Sequence, residues 1–261
     1  MPTRYVLAVG SSGASALAGA EAWAESHASF ADVPLVRVHV VTPDVVAARR
    51  HPDEAAAHDP VHVTGRVPDA LARFVGADDI LVIGTGKTGF IRSRVFGTLS
   101  LQIVAEVACT VAVIPDVDLR FRSGVVAGVK DDELVPAIVR ASGDEARARR
   151  EPLHLIQSSS VGLVPAPVET QGTALDRAAL AARENGVVRV RTHATARSPA
   201  EALLDASRNA ALLVIGAGHP RGAGHAIGSV THDVLVNINA PVLIVRASRM
   251  GHAEPDGQRT R

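Results

Sequence analysis

The sequence predicts an α/β fold built twice in tandem, each copy an open parallel sheet of five strands with helices on both faces. Three observations predict it. Short runs rich in valine and isoleucine alternate with stretches of helical composition, the pattern of βαβ units around a parallel sheet. The chain then says nearly the same thing twice: Ile80-Leu81-Val82-Ile83-Gly84 returns as Leu212-Leu213-Val214-Ile215-Gly216, an offset of 132 (216 minus 84). Other landmarks keep their order and nearly that offset, Gly97-Thr98 against Gly228-Ser229 and residues 111–114 against 242–245.

In the first copy the strands are expected at 5–9, 35–41, 61–63, 80–83 and 111–114. Helices fill the gaps: an alanine-rich one over 15–27, one over 69–75 entered through Pro68, and one over 98–108 after the Gly97 turn. Only residues 44–58 separate the second strand from the third, so a helix there is short, confined by Pro52 and Pro60. The second copy repeats the plan, with strands near 125–129, 153–157, 187–191, 212–215 and 242–245. Its second helix is full length, over about 169–185, and stops at Gly186. These elements divide the chain into a first domain at 1–118, a second at 119–248 and a disordered polar tail at 249–261.

Composition narrows the partners. Among 261 residues the formal net charge is +0, so no whole-molecule field draws the protein to nucleic acid or an anionic membrane. No run approaches the ~18 apolar residues of a membrane span. A signal-like start, Arg4 followed by an apolar stretch, is broken at Gly10-Ser11-Ser12-Gly13. The single cysteine, Cys109, permits no internal disulfide and reads as a small buried hydrophobe. A cytoplasmic location is expected.

The chemistry belongs at the carboxyl end of the fourth strand of each copy, where open α/β sheets bind their ligands. There the first copy has Gly84-Thr85-Gly86-Lys87-Thr88-Gly89, then Gly97-Thr98-Leu99-Ser100. The second has Gly216-Ala217-Gly218, then Gly228-Ser229-Val230-Thr231. Gly86-Lys87-Thr88 resembles the end of a P-loop, but Leu81 stands where that motif requires its first glycine. Gly84-x-Gly86-x-x-Gly89 matches the dinucleotide fingerprint, yet it follows the fourth strand instead of the first, and Arg221 breaks the match in the second copy. Both copies keep a glycine-rich loop and then Gly-(Ser/Thr)-x-(Ser/Thr) opening a helix. Such a loop lets the backbone approach an anion, with the free N–H groups of the helix's first turn and the hydroxyls of Thr98, Ser100, Ser229 and Thr231 as donors. An ordinary helix cap by the same hydroxyls is the competing reading. Gly10-Ser11-Ser12-Gly13-Ala14 fails the serine-hydrolase elbow by one position, and His219, His225 and His232 lack ligand-type spacing, so neither a catalytic residue nor a metal site is expected.

At these residues the sequence resembles the universal stress protein family in its tandem two-domain form. The family pattern, G-x2-G-x9-G-(S/T) after a strand written like LIVVG, is approximated by both copies, and residues 5–246 are covered. Supporting stretches are Val38-His39-Val40-Val41 leading to Pro43, Gly65-x-x-Pro68-x-Ala70-Leu71, and Ala240-Pro241-Val242-Leu243-Ile244-Val245. The resemblance implies an adenine nucleotide alpha-hydrolase-like fold of strand order 3-2-1-4-5, and a regulatory stress-response protein that binds ATP or AMP, with magnesium accompanying ATP. Any ATP hydrolysis would be slow. Carried onto this chain, the nucleotide site comprises Gly10, Ser11, Val41, Gly84, Gly86, Lys87, Gly97, Thr98, Leu99 and Ser100 in the first copy. In the second it comprises Val129, Lys130, Asp131, Gly216, Gly218, Gly228, Ser229, Val230 and Thr231. Two departures stand out: Lys87 takes the place of a family glycine, and the aspartate that ends the first strand is replaced by Gly10 and by Lys130, with Asp131 adjacent. The alternative is a degenerate member that binds no nucleotide and works as a protein-interaction module. The resemblance also implies that residues 111–114 and 242–245 pair edge to edge as an intramolecular pseudo-dimer, and that two chains form a homodimer.

Overall fold

The computed structural model describes residues 2–9, 18–42, 60–88, 98–158, 160–161, 164–165, 171–218 and 227–246. The first half contains β1 (Tyr5–Val9), α1 (Ala18–Ala31), β2 (Leu35–Val41), β3 (Val61–Thr64), α2 (Val67–Phe74), β4 (Ile80–Thr88), α3 (Thr98–Glu106) and β5 (Thr110–Asp116). The second contains β6 (Val125–Gly128), α4 (Val135–Arg149), β7 (Leu153–Ser158), β8 (Ser160–Val161), β9 (Val164–Pro165), α5 (Gln171–Glu184), β10 (Val190–Thr195), α6 (Pro199–Ser207), β11 (Leu212–Gly216), α7 (Ser229–Val236) and β12 (Val242–Val245). Local chemistry sets several boundaries. Pro68 and Pro199 occupy the first turns of α2 and α6, where the missing N–H is harmless, and the Ser198 hydroxyl accepts a hydrogen bond from the Glu201 N–H at the start of α6. The short helix expected at 44–58 and the tail at 249–261 lie outside the described residues.

The strands form one ten-stranded sheet in the order β10-β7-β6-β11-β12-β5-β4-β1-β2-β3. Each half contributes the order 3-2-1-4-5 with all neighbours parallel. The two five-stranded units join into one sheet through the edge pairing expected between residues 111–114 and 242–245: β5 and β12 pair antiparallel, Val113 opposite Val242, Ala112 opposite Leu243 and Val111 opposite Ile244. Left apart, each fifth strand would present a row of unpaired N–H and C=O groups between buried faces, and pairing satisfies both rows at once.

Side-chain alternation makes this seam part of the core. Ala112 and Leu243 lie on the face covered by α1, α4 and α5, while Val111, Val113, Val242 and Ile244 lie on the face covered by α2, α3, α6 and α7. Both cores run across the seam without interruption. Helix α1 of the first half also meets α4 of the second. His27 stacks on Trp23 with ring centroids 3.6 Å apart, and its Nδ1 donates to the Trp23 carbonyl at 2.7 Å. Its Nε2 lies 3.2 Å from Glu145 Oε2, and Glu145 accepts from Arg149 Nε at 3.2 Å. On the other face the guanidinium of Arg246 donates to the Val104 carbonyl, and Arg122 Nη1 donates to the Asn239 carbonyl at 2.6 Å.

Two expected elements are displaced. The strand expected at 187–191 is β10, three residues later, because Val187 packs into the core behind the left-handed Gly186 and Val188 points outward. The true strand, Val-Arg-Thr-His-Ala-Thr, is polar because it is an edge. In the first half, residues 84–88 were expected as a loop but continue β4, with a register shift that sets Thr88 opposite Asp116. The glycines admit that irregularity.

A shared sheet predicts one cooperative unit. Ile244→Ala, on a fully buried second-half strand, is expected to cost about 2–5 kcal/mol. In urea, the fluorescence transition of Trp23, the single tryptophan and a first-half residue, should shift with the far-UV circular dichroism transition. A Trp23 transition left at the wild-type midpoint would show that the halves unfold separately. Burial pushes the Glu145 carboxyl up, but hydrogen bonding to His27 and the nearby Arg149 guanidinium outweigh it, so the group titrates below its usual range. Its stabilisation is thus present above the ordinary carboxylate range and lost as pH falls through the lowered value. Glu145→Gln should be less stable at pH 7 and show a flatter acid limb in thermal melts between pH 7 and 3.

Candidate functional site

The second half builds a cradle from backbone alone. Strand β11 ends at Gly216, and the chain continues through Ala217, whose N–H donates to the Val245 carbonyl at 2.9 Å. Gly218 then turns back with φ +83°, a conformation that favours glycine. Gly228 returns beside it: its N–H donates to the Ala217 carbonyl at 2.8 Å, and it opens α7. A Cβ on Gly218 would lie 2.7 Å from the Gly228 Cα and 2.8 Å from its nitrogen, so Gly218 must be glycine for the two backbones to meet, whereas a Cβ on Gly228 would make a tight contact of 3.3 Å with the Gly218 Cα. This contact fixes the N-terminus of α7, with its unpaired first-turn N–H groups and positive dipole end, at the carboxyl edge of the sheet. Ser229, the first residue of the helix, is exposed. The arrangement suits an anion held by backbone N–H groups.

The remaining second-half expectations sort by geometry. Thr231 is corrected: its hydroxyl is buried and donates to the Gly216 carbonyl at 2.8 Å, tying α7 to the strand end instead of facing a ligand. Gly216 serves packing, since a Cβ there would meet Leu134 Cδ1 at 2.8 Å, where α4 begins against the strand. Val129 is buried, and its N–H donates to the Ile156 carbonyl at 2.8 Å, which carries the β6–β7 ladder one residue further. Lys130 is exposed, and its carbonyl accepts from Asp132 N–H at 2.8 Å. Asp131 is exposed and paired with Arg177 of α5 at 2.7 Å. Val230 is half-buried behind Ser229.

In the first half, Gly84, Gly86 and Lys87 lie in β4, Val41 ends β2 half-buried, and Thr98 begins α3. Leu99 is exposed and Ser100 half-buried. Gly10, Ser11 and Gly97 lie outside the described residues. Cys109 is fully buried, and burial pushes its thiol up to about 11, which leaves it unreactive. Among the described residues no group of three or more histidine, cysteine, aspartate or glutamate side chains could hold a metal ion, and no helix is long and apolar enough to cross a membrane.

One residue at this edge was missed. Gln157 is 7% exposed near the end of β7, and its Oε1 has no hydrogen-bond partner. The available signal was alternation: Leu153, Leu155 and Gln157 share one face of the expected strand, so the glutamine falls at an inward position.

Comparison with known proteins agrees with this architecture. Residues 124–246 match the model of the universal stress protein family. A universal stress protein from Archaeoglobus fulgidus DSM 4304 superposes with a TM-score of 0.67 at 14% identity, covering 92% of this chain and 98% of its own. A chain from Pseudomonas aeruginosa UCBPP-PA14 gives 0.59 at 17% identity, covering 94% and 93%. A shorter universal stress protein from Archaeoglobus fulgidus, solved in complex with dAMP, is 25% identical, covers 48% of this chain and 98% of its own, and has a TM-score of 0.39. The fold likeness spans both halves, and the half that contains the Gly218–Gly228 cradle is the one that matches the universal stress protein family, over residues 124–246.

Proposed function

We propose that the protein is a regulatory adenine-nucleotide receptor of the stress response, binding ATP or AMP at the carboxyl edge of its second half. The observation that carries this reading is the Gly218–Gly228 contact, which sets the α7 N-terminus where a phosphate can be met by backbone N–H groups. Ser229 adds an exposed hydroxyl at the first helical position. Binding, not turnover, is the role, because the carboxylate beside the site, Asp131, is engaged by Arg177. The first half contributes chiefly the seam, since its glycine run extends β4. Domain limits near 118 and 248 are part of the same proposal.

Asp131 in an ion pair favours a second reading, in which the family's ribose contact is lost and the chain serves only as an interaction module. Calorimetry separates the two. Titration of AMP and ATP, the latter with magnesium, should show saturable binding; no heat at millimolar nucleotide would overturn the receptor reading. Gly218→Ala should abolish the binding and lower stability by more than about 1 kcal/mol, since the left-handed φ and the approaching backbone both oppose a side chain. Thr231→Val should cost about 1–3 kcal/mol by leaving the Gly216 carbonyl unpaired, with Thr231→Ser restoring much of it, as read by urea midpoints.

A further inference from the structure

Three residues form a row across the carboxyl edge of the second half. The β6–β7 register pairs Gly128 with Ile156, and the Val129 N–H to Ile156 carbonyl bond extends it, setting Val129 beside Gln157. The β11–β6 register pairs Val214 with Ala127, so two residues further Gly216 stands beside Val129. All three lie on one face. Leu153 and Leu155 place Gln157 on the side covered by α4 and α5, Val129 belongs to the same core, and a Cβ on Gly216 would point at Leu134 and Ile138 of α4. Gln157 is thus two strand spacings, about 10 Å, from the strand end that leads into the cradle. That separation is comparable to the span from phosphate to base edge in a mononucleotide.

Gln157 Oε1 is an acceptor taken out of water and left without a donor. Buried amide groups in folded proteins are nearly always paired, so an unpaired one at a ligand edge points to a group that arrives with the ligand. A glutamine amide presents an acceptor and a donor side by side, the pattern that matches the amine and ring nitrogen on adenine's edge. Resting on the nucleotide reading above, we infer that Gln157 is the base-reading residue of the second half, its Oε1 accepting from the 6-amino group of adenine. The same registers place His39 at the equivalent position of the first half: Val9 pairs with His39, and Val6 and Leu7 pair with Leu81 and Val82, which carries Val9 to Gly84. There the side chain is an imidazole packed against His62 at 5.4 Å between ring centroids. Amine recognition through a carboxamide is therefore a property of the second half.

The test titrates the full chain with AMP and with purine ribonucleoside 5′-monophosphate, which differs only in lacking the 6-amino group. Wild type should bind AMP roughly 5- to 100-fold more tightly. Gln157→Met keeps the length and removes the amide, and should bring the two affinities within about threefold while leaving binding of ribose 5-phosphate unchanged. Gln157→Glu keeps an acceptor and should retain a preference for AMP. Equal affinities in wild type, or an AMP preference undiminished in Gln157→Met, would overturn the role of Gln157 and leave the nucleotide site standing. Should Gln157→Met not fold, the wild-type ratio alone decides. Failure of both nucleotides and of ribose 5-phosphate to bind would overturn the receptor reading, and this inference with it.

Discussion

The antiparallel pairing of β5 with β12 is the constraint on which the rest of the structure depends. Each half, taken alone, is a five-stranded sheet whose fifth strand is apolar on both faces and unpaired along one side. Exposing such a strand costs both hydrophobic burial and backbone hydrogen bonds. The seam removes both penalties, and it brings α1 against α4 so that His27, Glu145 and Arg149 meet. Leu134, the N-cap of α4, is the residue that covers Gly216, so the helix that anchors the halves together also supports the floor of the candidate site.

Much of this fold is legible in the sequence because its signals are strong and repeated. The central strands β4, β11, β5 and β12 are continuous aliphatic runs, and their recurrence at one offset exposes the duplication. Edge strands carry weaker signals. Strand β10 is polar, and the valines just before it, Val187 and Val188, mimic a strand although one is core and the other solvent-facing. The joining of the two sheets was legible only through the family resemblance, because edge pairing between fifth strands leaves no mark in either strand that a separate, covered edge would not leave too.

The site is legible in outline only. The glycine-rich run at 216–218 could be picked out because a left-handed turn against a second backbone, the one Gly218 makes, favours glycine. The partition of roles among its neighbours could not. Thr231 and Ser229 are both hydroxyl residues of one short motif, yet two residues of helical rotation turn the first inward to a carbonyl and leave the second in solvent. Gly216 looked like a ligand contact and is a packing contact, because its role depends on Leu134, more than eighty positions away in sequence. Tertiary neighbours of that kind are invisible to any local pattern.

Within the ten-stranded sheet the strands are parallel inside each half and antiparallel across the seam, so the carboxyl edge of one half lies beside the amino edge of the other. The carboxyl edges of the two halves therefore lie at opposite edges of the sheet. A mechanical disturbance at one carboxyl edge can reach the other only across the β5–β12 seam and the two cores that run through it, which makes the middle of the sheet the sole common path between its ends among the described residues.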